Sequence, residues 1–276
     1  MKHISSSNSA ISKSAVAEKT GISRQSLYYQ PSLPSKDLIL KNQIEVLMLE
    51  HKSYGYRRIA LALGVNHKKV QRVMKIFGLK IKRSSNYKLK IKGNLSKHNR
   101  YSNLLTNLAL NAPNQAWVSD FTYLSYQGKF IYLATILDAY TREVIAWNVR
   151  VRHNTELITE TLISALSKRN NLPQIFHSDQ GSEYRSKGVI DLLKAKNIKP
   201  SMSQKSSPWQ NGKQESFYQK FKLELGHPNI YETQGELIEA IALQIHYYNH
   251  KRIHSALKMP PVIFYQRCLA VKAVSS

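Results

Sequence analysis

Residues 116–126 (AWVSDFTYLSY), 129–139 (KFIYLATILDA) and 143–151 (EVIAWNVRV) decide the fold. Each run is rich in β-branched and aromatic residues. Gln127-Gly128 breaks the first from the second, and Tyr140-Thr141-Arg142 the second from the third. Such runs read as three consecutive strands joined by tight turns. Farther toward the C-terminus, Asn154 stands where it caps a helix carried by Leu157, Leu162, Ile163 and Leu166. Residues 174–179 (QIFHSD) give a fourth strand, Val189, Ile190, Leu192 and Leu193 a second helix, and residues 199–203 a short fifth strand. A loop with Pro208 and Gly212 leads into a helix over 215–225, and a last long helix is expected over 234–250. The order β-β-β-α-β-α-β-α-α predicts an α/β domain with a mixed five-stranded sheet and helices on both faces.

Upstream the pattern is helical. In residues 17–29 (AEKTGISRQSLYY) a short helix ends at Gly21 and Ser23 caps a second one that points Leu27 inward. This helix-turn-helix pattern turns Arg24, Gln25 and Tyr28 toward DNA, with an ordinary helical hairpin as the alternative. Residues 54–64 (YGYRRIALALG) form another helix stopped by a glycine, and Asn66 caps the next, with Val70, Val73, Met74 and Phe77 inward. Lys68, Lys69, Arg72 and Lys75 remain outside, with Arg57 and Arg58 nearby. The expected organisation is a helix-turn-helix segment over 1–35, a helical DNA-binding domain over 36–80, a basic linker over 81–111 and the α/β domain with its C-terminal helix over 112–268.

Charge says what these modules meet. Lys plus Arg number 41 against 17 Asp plus Glu, a formal net charge of +24. Residues 1–100 hold 21 of those bases and 4 acids, and residues 80–100, including Lys82 and Arg83, hold no acid. So large an excess self-repels unless a polyanion answers it; nucleic acid comes first and an anionic membrane surface second. The one cysteine, Cys268, excludes an intrachain disulfide framework and a cysteine-rich zinc module. No apolar run approaches the ~18 residues of a membrane span, and the N-terminus lacks a signal-peptide core, so a soluble intracellular protein is expected.

Three acids of the α/β region resist a structural explanation. Asp120 interrupts the first strand, Asp179 ends the fourth, and Glu215 opens the helix after the fifth. The first and fourth strands are neighbours in this order, so the two aspartates meet at the sheet centre and the helix brings Glu215 over them. Three converging carboxylates need counter-charge, and hard oxygen donors suit two Mg²⁺ or Mn²⁺ ions, the arrangement of two-metal phosphoryl transfer.

At this point the motifs carry a resemblance. Trp117-Val-Ser-Asp120-Phe-Thr122-Tyr123, His177-Ser178-Asp179-Gln180-Gly181-Ser182-Glu183-Tyr184 and Ser207-Pro208-Trp209-Gln210-Asn211-Gly212-Lys-Gln-Glu215-Ser216-Phe217 resemble the three catalytic motifs of integrase-like insertion-sequence transposases, in particular the second-reading-frame product of the copy-out, paste-in group. Between Asp179 and Glu215 lie 35 residues, the spacing of the D,D(35)E branch shared with retroviral integrases. Tyr247-Tyr248-Asn249-His250-Lys-Arg252-Ile-His254-Ser-Ala-Leu257 with Pro260-Pro261 resembles the family's C-terminal signature, and Tyr54-Gly-Tyr56-Arg57-Arg58 its helical domain. The resemblance covers roughly residues 15–268. Glu183 departs from it, since Gln is commoner there, and the multimerisation zipper of the upstream frame is absent.

The resemblance implies a ribonuclease-H-like integrase catalytic core and a DDE transposase. Asp120, Asp179 and Glu215 would be the metal ligands, with Lys222, seven residues past Glu215 on the same helix face, holding a DNA phosphate. It also implies double-stranded DNA partners (terminal inverted repeats and target), cleavage to a 3′-OH and its joining to DNA. A homo-oligomer on DNA, an upstream-frame partner or frameshifted fusion, and a bacterial cytoplasmic, nucleoid-associated location follow in the same way. Further DNA contacts are expected from Arg24, Arg57, Arg58, Lys68, Lys69, Arg72, Lys82, Arg83 and Arg252, with Lys220 as an ordinary solvent-facing neighbour of Lys222. An inactive DNA-binding regulator or a structure-specific nuclease on the same fold are the alternatives.

Overall fold

A computed structural model of the chain describes residues 13–23, 25, 33–81, 101–106, 108–203 and 212–274. Among these, four helices precede the sheet: α1 (Lys13–Thr20), α2 (Leu33–Glu50), α3 (Tyr56–Leu63) and α4 (His67–Ile76). Gly21 and Gly64 take positive φ (66° and 64°) at the ends of α1 and α3, the left-handed turn that glycine makes without a Cβ clash. The Asn66 side chain accepts from Lys68 N at 2.9 Å and starts α4. The recognition helix expected after Ser23, with Arg24, Leu27 and Tyr28, lies outside the described residues, as do Lys82 and Arg83 of the linker.

The sheet consists of β1 (Ala116–Tyr126), β2 (Lys129–Asp138), β3 (Val144–Arg150), β4 (Ile175–Ser178) and β5 (Lys199–Met202). Its order is β3-β2-β1-β4-β5. β1, β2 and β3 run antiparallel; β4 lies parallel to β1, and β5 parallel to β4. This is the ribonuclease-H-like mixed sheet. Gln127 and Gly128, both at positive φ (46° and 76°), make the two-residue hairpin whose twist matches the strands. Asp138 holds the second turn: its carboxylate accepts from Tyr140 N at 2.8 Å, Thr141 N at 2.7 Å and Asn114 N at 2.6 Å.

Helices α5 (Thr155–Ser167) and α6 (Lys187–Ala195) cover one face; α7 (Gly212–Leu225) and α8 (Gln234–His250) cover the other. Trp117, Ile136, Leu157, Leu162 and Leu193 fill the first interface, and Leu133, Phe217, Phe221, Ile241 and Ile245 the second. Asn154 caps α5 as expected, accepting from Leu157 N. Ile163 does not join its inward stripe; it is exposed, because Leu157, Ile158, Thr161, Leu162 and Ala165 already define the buried side. Two helices extend the sequence-based expectation: α2, and α9 (Pro261–Val274) after the last long helix. The expected linker also ends early. Tyr101, Leu105, Leu108 and Leu110 pack on the α/β core, and Met202 N donates to Ser102 O at 3.1 Å.

The helical part is fastened to the back of α7 and α8. Its own core of Leu40, Ile44, Ile59, Val70 and Val73 takes in Ile253, from the segment after α8. Glu224 of α7 accepts from Ser53 Oγ and from Arg252 Nε, the latter at 2.8 Å, and Gln244 Nε2 donates to its second oxygen at 2.8 Å. Ile253 N donates to Tyr54 Oη at 2.6 Å, and His51 Nδ1 pairs with Tyr247 Oη at 2.6 Å. Arg252 is 4% exposed in this clasp: a buried guanidinium requires a carboxylate, and Glu224 supplies it. Arg58 is likewise drawn into the junction, with Nε donating to Ser255 Oγ at 3.1 Å.

Candidate active site

The register of β1 against β4 places the two aspartates. Val118 pairs with His177, so Asp120 and Asp179, each two residues farther along, come level at the same end of neighbouring central strands. Glu215 stands in the first turn of α7, and two buried neighbours fix that helix to the sheet. Gln214 Nε2 donates to Val118 O at 2.7 Å, and Gln214 Oε1 accepts from Thr135 Oγ1 at 3.1 Å. One turn later Tyr218 Oη donates to Asp120 O at 2.6 Å. Glu215 itself stays exposed at the rim.

The electrostatics follow from this convergence. Burial first, then the charge of Asp179, with Glu215 adding to it, push the Asp120 carboxyl from 3.8 up to about 7. The Phe121 N–H, donating to Asp120 Oδ1 at 2.9 Å, and Lys222 work the other way but do not win. Asp179 is also raised by burial, opposed by Gly181 N, which donates to its Oδ1 at 2.9 Å. The site is short of positive charge and offers only oxygen donors, which fits a hard divalent cation. Among the described residues no three acids, histidines or cysteines are close enough to enclose a metal ion, so the acids would have to draw in around one.

The surroundings are equally specific. A Cβ on Gly181 would lie 2.9 Å from Asp179 Oδ1, so a larger residue there would push this carboxylate aside. Glu183, the departure from the family motif, bonds His153 Nδ1 at 2.9 Å, and its charge adds to the rise of Asp179. Lys222 is half-buried beside β1: its Nζ donates to Tyr123 O at 2.8 Å and lies 4.9 Å from the Tyr123 ring centroid. His177 is buried and bonds Ser201 Oγ at 2.8 Å, a structural histidine that burial holds neutral, down to about 4. Arg57, Lys68 and Lys69 are exposed, whereas Arg72 bonds Asp37 at 2.6 Å and ties α4 to α2. Residues 204–211, with Trp209 and the start of the third motif, lie outside the described residues.

Sequence reasoning missed Gln214 and Tyr218, the residues that aim α7, and Glu224. The available signal was a polar residue at each of three positions, 214, 218 and 224, lying along the buried stripe of Phe217, Phe221 and Leu225.

A mixed sheet with an acid cluster at its centre and a basic helical domain behind it defines a protein that works on nucleic acid with an integrase-type core. Two family profiles, both described as integrase core domain, match residues 111–208 and 196–261. The chain is 34% identical over 228 residues to the transposase for insertion sequence element IS904 of Lactococcus lactis, covering 79% of this chain and 90% of that protein. It is 27% identical over 239 residues to the transposase for insertion sequence element IS629 of Shigella sonnei, covering 82% and 78%. A chain of the simian T-cell lymphotropic virus intasome shares the fold at a TM-score of 0.51 and 15% identity, over 81% of this chain and 74% of that one. The chain belongs to the insertion-sequence transposases that carry an integrase core domain. Among the described residues no helix is long and apolar enough to cross a membrane.

Proposed function

We propose that this transposase cuts one DNA strand at its element's ends to leave a 3′-OH and joins that 3′-OH to target DNA by transesterification, with Asp120, Asp179 and Glu215 as its catalytic acids. The observation that carries this is the β1–β4 register, which brings Asp120 and Asp179 level at the sheet centre beside the first turn of α7, where Glu215 stands. Carboxylates gathered at a partly buried sheet end cost stability, and such clusters concentrate where charge is handled for chemistry. The three carboxylates would hold Mg²⁺ or Mn²⁺, two ions in all, which would activate the attacking oxygen and stabilise the leaving one. Gln214 and Tyr218 hold α7 so that Glu215 faces the aspartates. Lys222 exchanges its bond to Tyr123 O for a phosphate of the bound strand. Arg57, Lys68 and Lys69 of the helical domain contact the DNA backbone, and the outlying Arg24, Lys82 and Arg83 extend that contact. The protein works as an oligomer on DNA, alone or joined to an upstream-frame product.

Strand joining with a pre-cleaved end tests the assignment and separates it from a nuclease or an inactive regulator. Asp120→Asn, Asp179→Asn and Glu215→Gln should each abolish joining while DNA affinity stays within about twofold. Wild-type joining by any of the three removes that residue from the site.

A further inference from the structure

Between the first turn of α7, the β2–β3 turn and the segment after α8 lies a cavity of about 370 Å³. Among the described residues its wall carries Arg58, Arg142, Lys213, Lys220, Arg252 and His254 and no carboxylate. The acids nearest to it are already engaged. Asp138 accepts three backbone N–H groups, and Glu224 is held by Arg252, Ser53 and Gln244. Arg142 Nε and His254 Nδ1 are buried with no hydrogen-bond partner among the described residues. The ammonium groups of Lys213 and Lys220 have no hydrogen-bond or ion-pair partner there either.

So many cations around one space, with orphaned buried nitrogens, call for an anion. The same wall includes Gly212 and Ser216, at the start of a 14-residue helix whose dipole adds to the positive field. The field is felt inside: burial, then Arg142, Arg252 and Arg58, hold His254 down to about 4. Lys213 and Lys220 are seven residues apart and share one face of α7; Glu215 and Lys222 share another, about 200° around it at 100° per residue. The start of α7 therefore stands between the acid cluster and the cationic cavity.

We propose that this cavity is a phosphate-binding site that takes a backbone phosphodiester of DNA, on the side of α7 away from Lys222, a role that rests on the DNA-joining function proposed above. Lys220, expected from sequence to be a solvent-facing neighbour, becomes one of its ligands.

The test uses the full chain and a labelled duplex of about 30 base pairs, titrated across a salt series. Lys213→Gln/Lys220→Gln should weaken binding about tenfold at fixed salt and flatten the log–log slope by about 0.9 for each phosphate that is no longer neutralised. Lys194→Gln/Lys196→Gln, on the exposed end of α6, should change neither. In a second arm, inorganic phosphate should raise the melting temperature of the wild type above that in chloride of equal ionic strength, and should not do so for the cavity double variant. Phosphate stabilisation with an unchanged DNA slope would overturn the DNA assignment in favour of a free anion. No difference in either arm would overturn the site itself. Lys213→Arg/Lys220→Arg should restore both effects, which guards against a glutamine variant that merely folds poorly. Both arms are run without divalent cation and read binding and melting rather than joining, so failure of the catalytic assignment stays distinguishable.

Discussion

Replacing Asp120 with asparagine should make the cation-free protein more stable, and only above acid pH. The Asp120 carboxyl rises from 3.8 to about 7 on folding, so the unfolded chain releases this proton first. Between those values the folded state binds more protons, and stability falls as pH rises from about 4 to about 7 and then levels off. A shift of about 3 units at ~1.36 kcal/mol each sets a ceiling of roughly 4 kcal/mol. Asp120 keeps part of its surface in water, and screening trims this to about 2–3 kcal/mol. Asparagine keeps the acceptor for Phe121 N and removes the charge. In EDTA, urea melts at pH 8 should therefore show the variant about 2–3 kcal/mol more stable, with the gap closing as pH falls toward 4. At 2–4 °C per kcal/mol, its melting temperature at pH 8 should rise by about 5–10 °C. Adding Mg²⁺ at ten times its dissociation constant should return about 1.4 kcal/mol to the wild type alone. A variant less stable than wild type at pH 8, or a gap independent of pH, would refute the reasoning.

Three further outcomes are expected. Gly181→Ala drives a methyl group to 2.9 Å from Asp179 Oδ1, so joining should drop at least tenfold while the urea midpoint barely moves; full joining would show that this carboxylate is free to shift. Arg252→Met leaves Glu224 buried without its cation and should cost about 3–5 kcal/mol in denaturant melts, whereas Arg252→Met/Glu224→Leu should recover most of that; a double variant as unstable as the single would count against the clasp. Lys222→Ala should cut strand joining well beyond its effect on DNA affinity, whereas the exposed Lys194→Ala should be silent in both assays; equal small effects would remove Lys222 from the site.

The sheet was legible because each of its strands carries a local signal. Period and turn chemistry fix β1 to β3 within a residue or two, since Gln127-Gly128 and Asp138 act over short range. The neighbouring places of Asp120 and Asp179 followed from strand order alone. α2 was not legible, because Leu38, Ile39, Val46 and Leu49 are exposed beside buried Leu40 and Ile44 and blur its stripe. The junction contacts of Arg252 and Arg58 were hidden for a different reason. The sequence does not show that the fold brings Glu224 and Ser255 to them from 28 and 197 residues away. What holds Glu215 in place was hidden in the same way: Gln214 is polar in sequence but buried among strand carbonyls in the fold.

Both unfavourable electrostatic features of the core lie against one helix. On one face of α7 burial and the neighbouring acids raise the Asp120 carboxyl; on the other, Arg142, Lys213 and Lys220 face a cavity without a carboxylate among the described residues. Both arrangements gather like charge, and proteins keep such features chiefly where a ligand relieves them. Under the proposed reaction a divalent cation relieves the first and a DNA phosphate the second. Each should bind more tightly once the other is present, because both draw on the placement of the same first turn, and any such coupling must be reciprocal. The clasp through Glu224 anchors the far end of that helix to the helical domain, so Ser53 and Arg252 hold α7 at one end while its proposed ligands meet the other.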